Sequence, residues 1–259
     1  MQLVYEEFGD TQKSPLIILH GFFASARNWR VIAEKLANNY HVYVVDQRNH
    51  GASFHDIEMN YEIMADDVLH FIWQHNLNKV SILGHSMGGK VAMWFALNHG
   101  DYIDKLIIAD IAPVSYTHSF DKTMNVLKAL PLAELKNRKQ AEEFLAHDIP
   151  ELSYRQFLLQ NLILEYGEYR WRIDLDIFAK NAHYIVAFPE TYSVTPFLNK
   201  VLFIAGAESQ YVKQGQFESL FPNGQLEIIA NAGHWLHVQQ PEAFILAVTN
   251  FLEQKHDGI

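Results

Sequence analysis

Ser86 stands in the string Gly84-His85-Ser86-Met87-Gly88-Gly89, between an apolar run ending at Leu83 and a second apolar stretch starting near Gly88. A serine hydroxyl is a weak nucleophile until a neighbouring base takes its proton. On a tight strand-to-helix turn, flanked by glycines that let strand and helix approach closely, such a hydroxyl is lifted clear of the backbone. Acyl transfer also needs N–H donors aimed at the developing oxyanion. Met87, directly after the serine, offers one. Phe22, in His20-Gly21-Phe22-Phe23 after the run Leu16–Leu19, offers the other. Among fourteen histidines, the one placed to act as base is His234 in Asn231-Ala232-Gly233-His234-Trp235, on a loop after the last strand-like run. His20, His50, His85 and His237 read as structural or hydrogen-bonding neighbours.

These residues need a scaffold that brings distant loops together. Short apolar runs at Leu16–Leu19, Val42–Val45, Val80–Leu83, Leu106–Ala109 and Val201–Ala205 do not alternate with polar residues. Strands covered on both faces read this way, as in a parallel sheet between helices. Helical stripes separate the runs: Trp29, Ile32, Ala33 and Leu36 form one, and Met64, Val68, Phe71 and Ile72 another, with Asn60 as its expected N-cap. The stretch from Gly88 to His99 is apolar nearly all round, so a buried helix is expected, and Pro241 should open the last one. Between Val114 and Tyr192 the strand rhythm stops and the pattern is helical, including Phe157-Leu158-Asn161-Leu162. A helical stretch inserted into a continuing sheet reads as a cap, giving a core of 1–113 and 193–259 with a cap over 114–192.

Composition narrows the chemistry. A formal net charge of −10 argues against nucleic acid as a partner. The absence of cysteine excludes disulfides, thiolate zinc sites and a cysteine nucleophile. No His-Glu-x-x-His string occurs, so neither metal nor cofactor is expected. The acidic start of the chain lacks the marks of a signal peptide, and no apolar run is long enough to span a bilayer, so a cytoplasmic location is expected. Oligomeric state leaves no trace in the sequence.

The strings His20-Gly21-Phe22, Asp46-Gln47-Arg48-Asn49-His50-Gly51, Gly84-His85-Ser86-Met87-Gly88-Gly89-Lys90, Asp110-Ile111-Ala112-Pro113 and Ala232-Gly233-His234-Trp235 together resemble an α/β-hydrolase over the whole chain. Within that superfamily the chain is similar to the small bacterial YbfF-type esterases and their mitochondrial relatives. The resemblance implies a mostly parallel central sheet with helices on both faces and a helical cap inserted after the sixth strand. It also implies carboxylesterase or thioesterase activity on an acyl ester, short to medium in chain length, with acyl-CoA among the candidates. Most members place the triad acid after the strand that follows the cap. Here that slot holds Ser209, which is neutral. Two carboxylates are available instead: Asp110, at the end of the strand before the cap, and Glu208. The YbfF-type pattern favours Asp110, with Glu208 as the alternative and Ser209 as an auxiliary hydrogen-bonding group.

Phe23, His85 and Trp235 are expected to line the substrate pocket. Of the aromatic residues in the inserted segment, most should form its own core and a few should roof the site. A CoA ester would require cations at the entrance, for which Lys90, Arg48, Arg170 and Arg172 are the candidates. The serine argues against relatives that use an aspartate nucleophile. A ligand sensor with slow turnover, a carbon–carbon bond hydrolase and a perhydrolase stay open beside the esterase.

Overall fold

The computed structural model describes residues 2–254. Strands β1 (Tyr5–Phe8), β2 (Pro15–Leu19), β3 (His41–Val45), β4 (Val80–His85) and β5 (Ile103–Ala109) come first, interleaved with helices α1 (Arg30–Leu36), α2 (Tyr61–Gln74) and α3 (Met87–His99). The inserted segment follows, with α4 (Asp121–Lys128), α5 (Arg138–Leu145), α6 (Leu152–Leu159), a hairpin of β6 (Leu162–Glu165) and β7 (Glu168–Trp171), and α7 (Leu175–Val186). The chain then returns through β8 (Val201–Gly206), β9 (Gly224–Ile229), α8 (Leu236–Gln239) and α9 (Pro241–Leu252).

One seven-stranded sheet runs in the order β1-β3-β2-β4-β5-β8-β9, parallel throughout except that β1 lies antiparallel on β3. The apolar runs are its buried strands: every residue of β3, β4 and β8 is buried, whereas edge strands β1 and β9 are partly exposed. Alternate side chains leave the sheet on opposite faces. Leu16, Ile18, Val42 and Val44 pack with α1 and α9 on one side. On the other, Ile17, Leu19, Ile82 and Ile108 pack with α2 and α3.

The expected caps hold. Asn60 accepts a hydrogen bond from Ile63 N–H at the start of α2, and Pro241 occupies the first turn of α9. Two expectations need correction. Among the described residues five strands, not six, precede the insertion: the sheet starts at β1, an edge strand paired to β3. Nor is the inserted segment wholly helical. Helix α6 stops at Leu159, so Leu162 opens a strand instead of extending the Phe157-Leu158 stripe. Asn161 turns the chain there, donating from its side chain to Phe23 O, and Tyr166-Gly167, both at positive φ, close a tight hairpin.

The interior of the inserted segment is continuous with that of the rest of the molecule. Met124, Leu127, Leu145, Leu158 and Phe178 belong to the same hydrophobic cluster as the side chains of α2 and α3. The parallel strands meanwhile deliver their carboxyl ends, and the loops that follow them, to one side of the sheet beneath this segment.

Candidate active site

Ser86 joins β4 to α3 at φ +53°, ψ −119°, outside the ordinary helical and extended regions. Neighbouring glycines make that turn possible. A Cβ on Gly84 would lie 2.3 Å from Gly88 O, and one on Gly88 would lie 2.2 Å from Leu19 O. The backbone is fixed on both sides, with Ser86 N–H donating to Ala109 O at 3.1 Å and Lys90 N–H to Ser86 O at 3.1 Å.

Ser86 Oγ donates to His234 Nε2 at 3.0 Å, and His234 Nδ1 donates to Asp110 Oδ2 at 2.7 Å. Asp110 directly follows β5 and is fully buried. A carboxylate in such a place must have its oxygens satisfied. Oδ1 accepts from Gly206 N–H at 3.1 Å, and Oδ2 also accepts from Ser209 Oγ at 2.5 Å. The ring nitrogen facing the acid therefore carries the proton, which leaves Nε2 free to accept from the serine. Glu208, the alternative acid, is exposed and tied through its backbone to Ala232 O.

Phe22 and Met87 offer backbone N–H groups used by no other protein group among the described residues. Met87 opens α3, so its N–H has no acceptor in its own helix. Gly21 packs closely under the nucleophile: a Cβ there would lie 3.2 Å from Ser86 Cβ. Next to it Phe23 adopts φ +65°, with its carbonyl held by Asn161 of the inserted segment at 2.8 Å.

The remaining histidines divide by burial. His85 Nε2 donates to His234 O at 2.8 Å, and burial, helped by the neighbouring His234, pushes its pKa down to about 3. It stays neutral and positions the backbone of the base. His237 stacks on Trp29 with centroids 4.1 Å apart, and burial holds it well below the usual histidine range. His20 donates from Nδ1 to Gly21 O and accepts Gln47 N–H at Nε2, and His50 donates to Arg48 O. Asp46 serves its own turn, accepting Ala26 N–H and Ala52 N–H.

A cavity of about 420 Å³ opens above Ser86. Phe22, Phe23, His85 and Trp235 line it, as do Phe120, Tyr154 and Phe157 from the inserted segment. Phe178 is instead buried, stacked on Phe22 at 4.6 Å, while Phe144 and Tyr184 are largely exposed and belong neither to the cavity nor to the core. Of the four candidate entrance cations, only Lys90 lines the cavity. Arg48 forms a buried pair with Asp67, and Lys90 is buried against Val186 O and Ala187 O. Arg170 pairs with Glu165 on the hairpin, and neither it nor Arg172 lines the cavity. Tyr211, absent from the sequence reading, packs its ring on His234 with centroids 4.3 Å apart. No local string marks it, because its place depends on the loop that carries Ser209. Lys90 did leave a signal: a lysine on a helix apolar all round has only buried places to go.

A family model described as the alpha/beta hydrolase fold matches residues 14–241. The chain belongs to the α/β-hydrolase family. Among the members it is similar to are esterase YbfF of Escherichia coli (33% identical over 92% of this chain and 93% of the relative) and the sn-1-specific diacylglycerol lipase ABHD11 of Xenopus laevis (35%, 95% and 81%). A solved structure called a marine microorganism esterase superposes with a TM-score of 0.92 at 41% identity, covering 96% of this chain and 99% of that one. This α/β-hydrolase is thus an enzyme of the hydrolase class, with esterases and lipases as relatives. Among the described residues no helix is long and apolar enough to cross a membrane.

Proposed function

We propose that the protein is a serine hydrolase that cleaves carboxylic esters through an acyl-enzyme on Ser86. The observation that carries this reading is the continuous hydrogen-bonded line from Ser86 Oγ through His234 to Asp110. Ser86 Oγ attacks the ester carbonyl carbon while His234 Nε2 takes its proton. The oxyanion accepts hydrogen bonds from Phe22 and Met87 N–H, each worth ~3–4 kcal/mol in the transition state. The C–O bond to the leaving group breaks as His234 returns the proton to the departing oxygen. Water, deprotonated by the same histidine, then releases the carboxylic acid and restores the serine. Asp110 holds the ring tautomer and stabilises the imidazolium, with Ser209 and Gly206 N–H holding Asp110.

Residues 114–192 serve as the cap in this reading, with Phe120, Tyr154 and Phe157 as the roof of an acyl slot and Phe23 and Trp235 as its sides. The volume suits a short to medium acyl chain. Oxygen esters are favoured over acyl-CoA because Arg48 is paired with Asp67 and neither Arg170 nor Arg172 lines the cavity, which leaves the single cation Lys90 for the several phosphates of CoA. Named relatives act in the same sense, one as a diacylglycerol lipase and one as an esterase.

Initial rates on p-nitrophenyl esters of increasing length, with acyl-CoA esters in parallel and Ser86→Ala as the blank, test the reading. Multiple turnover on the short esters, abolished in the blank, is expected. An unchanged rate in the blank sinks the nucleophile. A single slow turnover with a large ligand-induced rise in Tm would favour a sensor.

A further inference from the structure

Lys90 sits about one helical turn beyond Ser86 on α3, and a helical side chain leans back toward the N-terminus, here toward the serine. It is 1% exposed and lines the cavity with Tyr61, Ile111, Tyr116 and Ile185. Nζ donates to Val186 O at 2.9 Å and Ala187 O at 2.6 Å and lies 4.7 Å from the centre of the Tyr116 ring. An ammonium has three donors. Two are used, and the third meets no protein acceptor among the described residues. No carboxylate pairs with Lys90 among them either. The carbonyl end of α7 carries only partial negative charge, so the ammonium is not neutralised.

A buried cation without an anion is destabilising, and a neutral amide could tie the same carbonyls without that penalty. The cavity around Lys90 therefore has the character of a half-built ion pair. We propose that Lys90 is the subsite for a second, ionised carboxylate on the substrate, so that half-esters of short dicarboxylic acids are the preferred class. The proposal rests on the acyl-enzyme reading of Ser86. One hydrogen bond from the ammonium to the carboxylate, made away from bulk water, adds to binding of such an ester and not to that of its uncharged analogue.

The groups around Lys90 set how this depends on pH. Tyr61 of α2 and Tyr116 of the loop after β5 face it as phenols, which burial holds above their usual pKa. His118 of the same loop is held below the usual histidine range, by burial first and then by Lys90 and His234. The α7 end contributes carbonyls only. With no anion near, burial pulls the Lys90 pKa down to about 7. The free enzyme thus offers the ammonium below that pH and loses it above, so preference for the carboxylate declines as pH rises through about 7.

The test compares kcat/KM for monoethyl adipate and for ethyl hexanoate in a pH-stat between pH 6 and 9. His234 ionisation divides out of the ratio. In the wild type a ratio near or above about tenfold at pH 6 is expected, falling toward one by pH 9. Lys90→Met should remove both the preference and its pH dependence. A wild-type ratio at or below one at pH 6, or an unchanged ratio in Lys90→Met, overturns the proposal and leaves Lys90 as a clip on α7. Calorimetry of adipate against hexanoate binding to wild type keeps the question decidable if Lys90→Met does not fold. It needs no turnover, so equal affinities overturn the subsite, whereas lost hydrolysis of both esters with tighter adipate binding overturns the acyl-enzyme reading alone.

Discussion

Below the cavity, Ser86, Asp110 and His234 lie on the turns that follow sheet strands, whereas Phe120, Tyr154 and Phe157 above it belong to the segment inserted between β5 and β8. The lower group is set by backbone. Ser86 and Asp110 both have positive φ, and their N–H groups donate to Ala109 O and Ile204 O of the neighbouring strands. The upper group is set by packing, through rings that contact one another and the side chains of α3 and the Phe22-Phe23 loop. In the proposed mechanism, chemistry that tolerates little displacement rests on the sheet, and the part proposed to select substrate rests on side chains that can be exchanged.

The largest break in this contrast should come from the acid. Asp110→Asn is expected to lower kcat on the order of 10⁴-fold, because the amide no longer stabilises the imidazolium. Glu208→Gln should stay within about twofold, as expected for an exposed side chain outside the hydrogen-bonded line. If steady-state kinetics show the reverse, the acid is Glu208 after β8 and Asp110 only buttresses the turn. In the roof the response should appear as stability. Phe178→Ala, at a fully buried ring stacked on Phe22, should destabilise by about 3–5 kcal/mol in urea unfolding. Ser209→Ala removes one hydrogen bond from Asp110, and a loss of about tenfold in kcat is expected with KM little changed. The smallest effect belongs to Phe157→Ala, which should shift preference toward longer p-nitrophenyl esters by a few-fold, the scale of one or two methylenes in an apolar pocket.

Acid should test the surroundings of the lower group as well. His85 titrates near 3 in the folded protein and near 6.5 when unfolded. Below about pH 6.5 the unfolded chain therefore binds more protons, and stability falls as pH drops toward the folded value. Denaturant titrations from pH 8 to 4 should show that loss, and His85→Asn should reduce its slope.

Ser86 and His234 were legible because their signals are local: glycines around a serine after an apolar run, and a histidine after the last strand. Asp110 was harder to read. Which strand end faces the imidazole is a property of sheet order, and β5 lies between β4 and β8 in a way that spacing along the chain does not state. The β6–β7 hairpin escaped because four-residue strands are too short for alternation to stand out from the helical stripe before them. Arg48 and Lys90 are candidates for a CoA entrance on charge alone, and only tertiary structure shows the carboxylate and the carbonyls that draw them in.

The hydrophobic cluster shared between α2, α3 and the inserted segment has a consequence for how the molecule opens. Because that cluster runs unbroken from roof to sheet, lifting the roof would expose apolar side chains on both sides to water. Heat should melt roof and sheet in one cooperative transition. At the rim the two parts are bridged by an exposed hydrogen bond from Asn28 to Gln160, the kind of contact that opens first in local fluctuations.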